Sequence, residues 1–301
     1  KTLVGELSRM VAVLAPNLGA PFQIMLFHGI NEVLEDAGWH ILFHNVHPEG
    51  EGERELLSHL LAYHPAGYII LKGAEGHDAA YLREITALGI PLVTQGRTGE
   101  IETHAVCFDD RLGMRLATDY LIERGHRRLG YLSGPSFSQS ARDRKLGFIE
   151  SLIAHDLPVS SALMADAGET AAAGYHTALD MLNGHDKHPT ALLCFNDMVA
   201  MGVYRAAHEL QLKIPDDLSL IGFDGIDFAG LFGPPLTSVN VFPEELGRRL
   251  AALLLRVITK EAGRAKTLEY IQPELLERAS VRSLSRSTEH VPPASAETVP
   301  G

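Results

Sequence analysis

The sequence has little cysteine and no long apolar run. Only two of its 301 residues are cysteines, Cys107 and Cys194, and each stands within a short apolar stretch. Isolated cysteines of this kind are typical of small buried side chains in a reducing compartment, so a cytoplasmic location is expected. No stretch approaches the roughly 18 unbroken apolar residues of a membrane span, and residues 1–6 lack the features of a signal peptide. No membrane partner is expected.

Positive charge is also scarce. Lysine and arginine together number 26 against 38 aspartates and glutamates, which gives a net charge of −12. Proteins that bind nucleic acid need clustered Lys and Arg side chains against the phosphates. The charge therefore argues against a nucleic-acid-binding surface within these residues.

Motifs for metal binding and catalysis are absent as well. His40, His44 and His47 are spaced four and three residues apart, but they fall on a predicted strand and the turn after it, so their imidazoles do not converge on a metal. His104 stands near Cys107 without a third group to orient it. The sequence has no phosphate-binding glycine loop, nucleophile elbow or paired-cysteine motif. Neither an enzyme nor a cofactor nor a metal site is expected.

Short apolar runs alternate with longer segments of helical period along most of the chain. The runs are continuously apolar, as in parallel strands that helices cover on both faces. Two successive series of this kind, in a chain long enough for about two domains, predict an α/β fold of two doubly wound parallel-sheet lobes. Strands are predicted at 10–15, 40–44, 68–71, 91–94, 105–108, 129–132, 191–195, 218–223 and 268–271. Helices are predicted at 21–37, 54–63, 78–88, 111–124, 144–155, 172–182, 197–210 and 244–258.

Polar side chains follow several of these strands. Ligands of open α/β sheets bind beyond the carboxyl ends of the strands. Asn17 and Phe22 follow the first strand, Arg144 lies in the helix after the strand at 129–132, and Asn196 and Asp224 directly follow two later strands. Hydrogen-bonding groups beside an aromatic ring suit a polar ring such as a sugar. Purely structural roles remain alternatives to ligand binding. Asn196 and Asp224 could cap a helix or a turn, Arg144 could lie on the surface, and Phe22 could pack in the core.

Five motifs occur in one order: LIERGHRR at 121–128 followed by Gly134-Pro135, RKLGF at 144–148, CFNDMVAMG at 194–202, IPDDLSLIGFD at 214–224 and PPLTSV at 234–239. Together they closely resemble the effector-binding region of the lactose/galactose-repressor (LacI/GalR) family of bacterial transcription regulators. The resemblance runs from about residue 11 to residue 282.

The resemblance implies a type I periplasmic-binding-protein-like architecture with three crossovers between the lobes. The N-terminal lobe would comprise 10–108 plus 243–262 and the C-terminal lobe 109–240 plus 266–282, with a hinge remnant at 1–9. The composition of 283–301, rich in Ser, Pro, Thr and Glu without an apolar period, separately predicts a disordered tail. The resemblance also implies a homodimer, formed through the helix at 22–37 and the segment 226–232. The effector would be a sugar, sugar acid or sugar phosphate. Operator DNA would be bound only through a helix-turn-helix headpiece that lies outside this sequence.

The resemblance further implies roles for individual residues. Arg144, Asn196 and Asp224 would hold the effector from the second lobe, and Phe22 and Phe108 would face the cleft. The sequence departs from the family pattern at three positions. Gly96 replaces an aspartate before Arg97, Glu169 replaces a stacking aromatic residue, and Val241 replaces a glutamine at a crossover. These departures point to an effector that is less sugar-like or differently oriented.

Two other functions compete with a transcription regulator. A periplasmic sugar-binding protein for transport or chemotaxis would share the fold, and an enzyme acting on a small sugar could use such a cleft. The motifs at 222–224 and 234–237 favour the regulator over the first. The lack of a catalytic constellation argues against the second.

Overall fold

The computed structural model describes residues 9–17, 19–46, 59–71, 80–98, 101–183, 188–263 and 265–284. Two six-stranded sheets organise these residues. In the first sheet the strand order is β11 (Leu268–Ile271), β5 (His104–Phe108), β4 (Leu92–Gln95), β3 (Gly67–Ile70), β1 (Met10–Ala15) and β2 (His40–Asn45). In the second sheet the order is β12 (Glu274–Leu276), β10 (Thr237–Asn240), β9 (Ser219–Asp224), β8 (Ala191–Cys194), β6 (Leu129–Ser133) and β7 (Met164–Asp166). Within the described ranges the strand pairs are parallel, except for the antiparallel pair of β10 and β12. The α/β fold with two parallel-sheet lobes is thus confirmed.

Each lobe combines its sheet with helices. The first lobe contains β1 (Met10–Ala15), α1 (Pro21–Asp36), β2 (His40–Asn45), β3 (Gly67–Ile70), α2 (Ala80–Ala87), β4 (Leu92–Gln95), β5 (His104–Phe108), α7 (Pro243–Ile258) and β11 (Leu268–Ile271). The second contains α3 (Asp110–Glu123), β6 (Leu129–Ser133), α4 (Gln139–Ala154), β7 (Met164–Asp166), α5 (Ala171–Asn183), β8 (Ala191–Cys194), α6 (Asp197–Glu209), β9 (Ser219–Asp224), β10 (Thr237–Asn240) and β12 (Glu274–Leu276). A 3-10 helix, Asp227–Leu231, follows β9. No helix of the described ranges has an apolar stretch long enough to cross a bilayer.

The chain passes between the lobes three times. The first crossover is at residue 109, between β5 and α3, and the second is at 241–242, between β10 and α7. The third is at 272–273, where β11 ends and β12 begins. The prediction of three crossovers is confirmed.

The boundary drawn at the last crossover is wrong. The family resemblance places the segment 266–282 as a whole in the C-terminal lobe, but β11 pairs in parallel with β5, with Leu268 opposite Ala105 and Ile271 opposite Phe108. Ile271 is buried in the first-lobe core. β11 therefore extends the first sheet, and only the chain beyond it returns to the second lobe.

Other predicted boundaries shift locally. α4 begins five residues earlier than predicted because Ser138 caps it, with its hydroxyl oxygen accepting from the amide of Ala141 at 3.4 Å. The predicted disordered tail starts too early, since the Leu284 amide donates to the carbonyl of Arg124 at 2.8 Å. His40 and His44 lie on β2 as predicted. Several predicted features lie outside the described residues: 1–8 of the hinge remnant, His47, 54–58 and 78–79 of two predicted helices, and 285–301.

Helices α1 and α7 pack so closely that their backbones are in contact at two glycines. A methyl group at Gly29 of α1 would overlap the carbonyl of Glu244, and one at Gly247 of α7 would overlap the carbonyl of Leu26. Each helix thus needs a glycine for the other to approach. Their apolar faces, which include Ile30 of α1, close over the first sheet. This contact fixes α7 to the first lobe directly after the second crossover.

Candidate functional site

A cleft of about 200 Å³ lies between the two lobes, where the carboxyl ends of strands from both sheets converge. The cleft is lined by residues that follow β1, β4 and β5 of the first lobe and β6, β8 and β9 of the second. The structure brings together there all seven residues singled out from the sequence: Asn17, Phe22, Phe108, Arg144, Glu169, Asn196 and Asp224.

Arg144 is the most buried charged residue of this group, with 3% of its surface exposed. Its Nε donates to Oδ1 of Asp110 at 2.5 Å, and its Nη1 donates to the carbonyl oxygen of Phe195. The same Nη1 lies 3.6 Å from Oδ1 of Asp224. The guanidinium carbon lies 3.7 Å from the centre of the Phe223 ring, so the cation stacks on an aromatic face. The alternative of a surface arginine is wrong.

Charge is balanced locally around this arginine. Burial raises the pKa of the Asp110 carboxyl, and the neighbouring Arg144 opposes that rise. For Arg144, burial lowers the pKa, but Asp110 and Asp224 outweigh this effect and hold the pKa above its ordinary value. The guanidinium therefore stays charged and holds the two carboxylates of the second lobe together.

Asn196 joins two loops of the second lobe. Its Oδ1 accepts from the amide of Val199 at 2.8 Å and so caps α6, which confirms the capping interpretation. Its Nδ2 donates to the carbonyl oxygen of Glu169 at 3.1 Å. Asn196 also lines the cleft, so capping does not remove it from the site.

Two residues of the cleft have left-handed backbone conformations. Asp224 ends β9 with φ +110°, and Asn17 follows β1 with φ +48°. Side chains larger than glycine adopt such conformations at a cost, and this strain is often found at functional sites. The strained turn at Asp224 leads into Gly225, which also has positive φ.

Aromatic rings cross the boundary between the lobes. Phe22 of α1 meets Phe108 of β5 edge to face, with ring centres 6.4 Å apart, and Phe108 lies 6.5 Å from Phe223 of β9. Phe22 packs against the apolar cores of both lobes. Phe22 therefore packs in the core and also lines the cleft.

The three departures from the family pattern lie in different places. Gly96, with φ +82°, and Glu169 line the cleft. Arg97 also lines it and donates from Nη2 to the Tyr270 hydroxyl at 3.0 Å, which ties it to β11. Val241 is fully buried in the second-lobe core and is not among the lining residues. The valine thus acts on packing at the crossover.

Sequence reasoning missed Asp110, Gln23 and Phe195 as lining residues. Asp110 comes two residues after β5, so the rule that ligands bind at strand ends could have found it. Gln23 stands in the first turn of α1, and no local signal distinguishes it.

His104 has a structural contact at the edge of the first sheet. Its Nδ1 accepts from the amide of Thr267 at 3.1 Å, a contact that fixes the chain just before β11. Burial lowers the pKa of His104. The neutral imidazole therefore has a structural role.

Two α/β lobes that enclose a cleft with apolar and hydrogen-bonding walls, and that are joined by three crossovers, define a ligand-binding protein of the two-lobed class. Residues 118–281 match the family model described as a periplasmic binding protein-like domain, and the chain belongs to this family.

The relatives are transcription regulators. The HTH-type transcriptional repressor PurR of Photorhabdus laumondii is 29% identical over 276 residues, which cover 91% of this chain and 80% of the relative. The repressor of the same name from Pectobacterium carotovorum is 28% identical, with the same two coverages. These relatives support a ligand-sensing transcription regulator rather than a periplasmic transport protein.

Solved structures agree with this assignment. The transcriptional regulator CelR in complex with cellobiose is 26% identical, with a TM-score of 0.82 over 90% of this chain and 84% of that one. A LacI family regulator from Enterococcus faecium with bound ribose is 25% identical, with a TM-score of 0.82 over 92% of this chain and 100% of that one. The resemblance to LacI-family regulators is thus confirmed.

Proposed function

We propose that this chain binds a small carbohydrate-like effector in the cleft and controls, as a dimer, the affinity of a separate DNA-binding headpiece for its operator. The observation that carries this proposal is the convergence of all seven candidate residues, from both lobes, on one cleft beside the crossovers. Its relatives are regulators and not enzymes, and the chain is proposed to release its ligand unchanged. Such a regulator acts in the cytoplasm, where its operator is found.

The lining residues suit the two faces of a sugar. The Asp224 carboxylate can accept from a hydroxyl, while the side-chain amides of Asn17 and Asn196 offer both donors and acceptors. Phe22 and Phe108 supply apolar surface for the C–H face of the ring. Two similar regulators contain cellobiose and ribose, which supports a carbohydrate-like effector here.

The effector would act by shifting a population of lobe arrangements. A ligand that touches Phe22 of the first lobe and Asp224 of the second binds best when the lobes stand at one separation. It can shift the equilibrium only by its difference in affinity for the two arrangements. The crossovers at 109, 241–242 and 272–273 would transmit the shift to the headpieces.

A second copy of the chain is the proposed dimer partner. Leu231, at the end of the 3-10 helix, is 85% exposed, whereas its neighbours Phe228 and Phe232 pack on the second-lobe core. Ile24 of α1 is also exposed, on a helix whose opposite face packs against α7. Exposed apolar side chains on such elements fit a surface that becomes buried between subunits.

A thermal-shift panel tests the effector proposal. D-ribose, cellobiose, D-glucose and D-galactose are added at millimolar concentration to the wild type, to Asp224→Asn and to the matched control Asp156→Asn. At least one sugar is expected to raise the melting temperature of the wild type and the control, because a ligand that binds only the folded state stabilises it. The shift should be lost in Asp224→Asn. A panel without any shift, or a sugar consumed by the protein, would overturn the proposal.

A further inference from the structure

We propose that Gln23 accepts a hydrogen bond from a hydroxyl of the effector, and that the cleft selects a neutral polyhydroxylated ligand over its phosphorylated or carboxylated counterparts. This inference rests on the proposed function and names the chemical class of ligand for the same cleft. Gln23 is its specificity-determining residue.

The first observation is a buried acceptor without a partner. Gln23 is only 4% exposed, it lines the cleft, and its side-chain Oε1 has no hydrogen-bond partner. Two other buried polar atoms in the described part of the chain lack a partner, the hydroxyls of Tyr68 and Tyr131, but neither tyrosine lines the cleft. An unpaired buried carbonyl is unfavourable, and folded proteins keep such atoms where a ligand or water completes them. A ligand hydroxyl that donates to this oxygen would complete it.

The second observation is the charge of the wall. Three carboxylates line the cleft, those of Asp110, Glu169 and Asp224, against two guanidinium groups, Arg97 and Arg144. The other lining residues are uncharged. The described wall therefore carries one negative charge more than positive charges.

Both cations are already engaged by the protein. Arg144 uses Nε on Asp110 and Nη1 on the Phe195 carbonyl, and Arg97 contacts the Tyr270 hydroxyl. A phosphate or carboxylate entering the cleft would have to compete for these groups while it lost its own hydration near the carboxylates. A hydroxyl meets no such cost, because it donates to an acceptor without bringing a charge. The acceptor-rich wall thus favours neutral ligands with many O–H donors.

Matched pairs of ligands test the selectivity. Calorimetric titration compares D-ribose with D-ribose 5-phosphate, D-glucose with D-glucose 6-phosphate, and cellobiose with cellobionate. In the pair that binds, the neutral member is expected to bind at least about tenfold more tightly. Tighter binding of the charged member would overturn this inference and leave the proposed function standing. Absence of binding by every member would overturn both.

Substitution of Gln23 tests the acceptor. Gln23→Met keeps the length of the side chain and removes the unpaired oxygen, so the melting temperature of the free protein is expected to stay or rise. The variant's affinity for whichever neutral sugar binds the wild type in the paired titrations should fall about tenfold. Gln139→Met, at a glutamine outside the cleft lining, is the matched control for affinity and should leave it unchanged, although it loses hydrogen bonds to Arg142 and Asp143.

A second variant keeps the acceptor. Gln23→Glu retains a side-chain oxygen at the same distance from the backbone, and it is expected to bind the neutral sugar more tightly than Gln23→Met does. If both variants lose the sugar equally, the acceptor role is wrong. If Gln23→Met lowers the melting temperature without a change in affinity, Gln23 is merely structural. Either result would overturn the assignment of Gln23.

Discussion

Arg144 and Asp110 form an ion pair at 2.5 Å directly after the first crossover, where α3 begins. Both side chains are largely buried, and Asp224 approaches the same guanidinium at 3.6 Å. The residue that the family resemblance assigns to the effector thus has a structural role before any effector arrives. It holds α3, α4 and the end of β9 in one arrangement at the floor of the cleft.

Loss of Arg144 is therefore expected to destabilise the chain as well as weaken binding. Arg144→Ala leaves Asp110 and Asp224 buried without their cation, and removal of one partner of a buried pair costs roughly 3–5 kcal/mol. Arg144→Lys keeps a charge and should lose less. Arg142→Ala, on the exposed side of the same helix, is expected to cost about 1 kcal/mol or less. Urea denaturation at neutral pH measures all three, and equal stability of Arg144→Ala and Arg142→Ala would contradict the structural role.

The fold could be predicted where its signals are local. β1 is apolar along its whole length, and β9 has an apolar centre between Ser219 and Asp224. Most predicted strand bounds agree with the structure to within one or two residues. β7 and β12 have only three residues, and β10 contains a single apolar residue, Val239, so none of the three shows an apolar run. The lobe to which β11 belongs depends on its pairing with β5, more than 150 residues earlier, and no local pattern carries that information.

The site residues likewise include some that local sequence signals predict and others that only the folded structure reveals. Asn17, Asn196 and Asp224 follow strand ends, and this rule alone placed them in the cleft. The pairing of Arg144 with Asp110 and the unpaired oxygen of Gln23 depend on contacts between distant segments. Such contacts become visible only when the chain is folded.

The dimer proposal predicts a change of mass on one substitution. Leu231→Asp places a charge where an apolar side chain would be buried against a second copy, and it should convert the dimer to a monomer at low micromolar concentration. Leu146→Asp, at another exposed leucine on α4, is the matched control and should remain a dimer. Light scattering of the three proteins measures the mass. A monomeric wild type, or a dimeric Leu231→Asp variant, would speak against this surface.

The contact between α1 and α7 predicts a steric effect. Gly29→Ala places a methyl group into the Glu244 carbonyl, so the helices must separate, and a loss of about 3 kcal/mol in unfolding free energy is expected. Gly19→Ala is the control, because a methyl there meets nothing closer than 3.8 Å. Chemical denaturation distinguishes the two. A Gly29→Ala variant as stable as the control would show that the first lobe tolerates wider helix spacing.

Asp197 predicts a pH dependence of stability. The carboxyl is fully buried, its Oδ1 accepts from the Ser238 hydroxyl at 2.6 Å, and its Oδ2 accepts from the Ile226 amide at 2.9 Å. Burial raises its pKa from 3.8 to about 7. Between these values the folded chain binds a proton that the unfolded chain has lost. The contribution of Asp197 to stability is therefore complete below about pH 4, decreases as the pH rises, and levels off above about pH 7.

Asp197→Asn removes this titration while keeping the shape of the side chain. The amide oxygen can still accept from the Ile226 amide, and the amide nitrogen can donate to the Ser238 oxygen. The difference in unfolding free energy between wild type and variant should fall by about 2 kcal/mol from pH 5 to pH 7, since one proton corresponds to at most about 1.4 kcal/mol per pH unit. Asp216→Asn, at an exposed aspartate, should follow the wild type across this range. A constant difference between wild type and Asp197→Asn would mean that Asp197 is already ionised at pH 5, with Ser238 and Ile226 compensating for its burial.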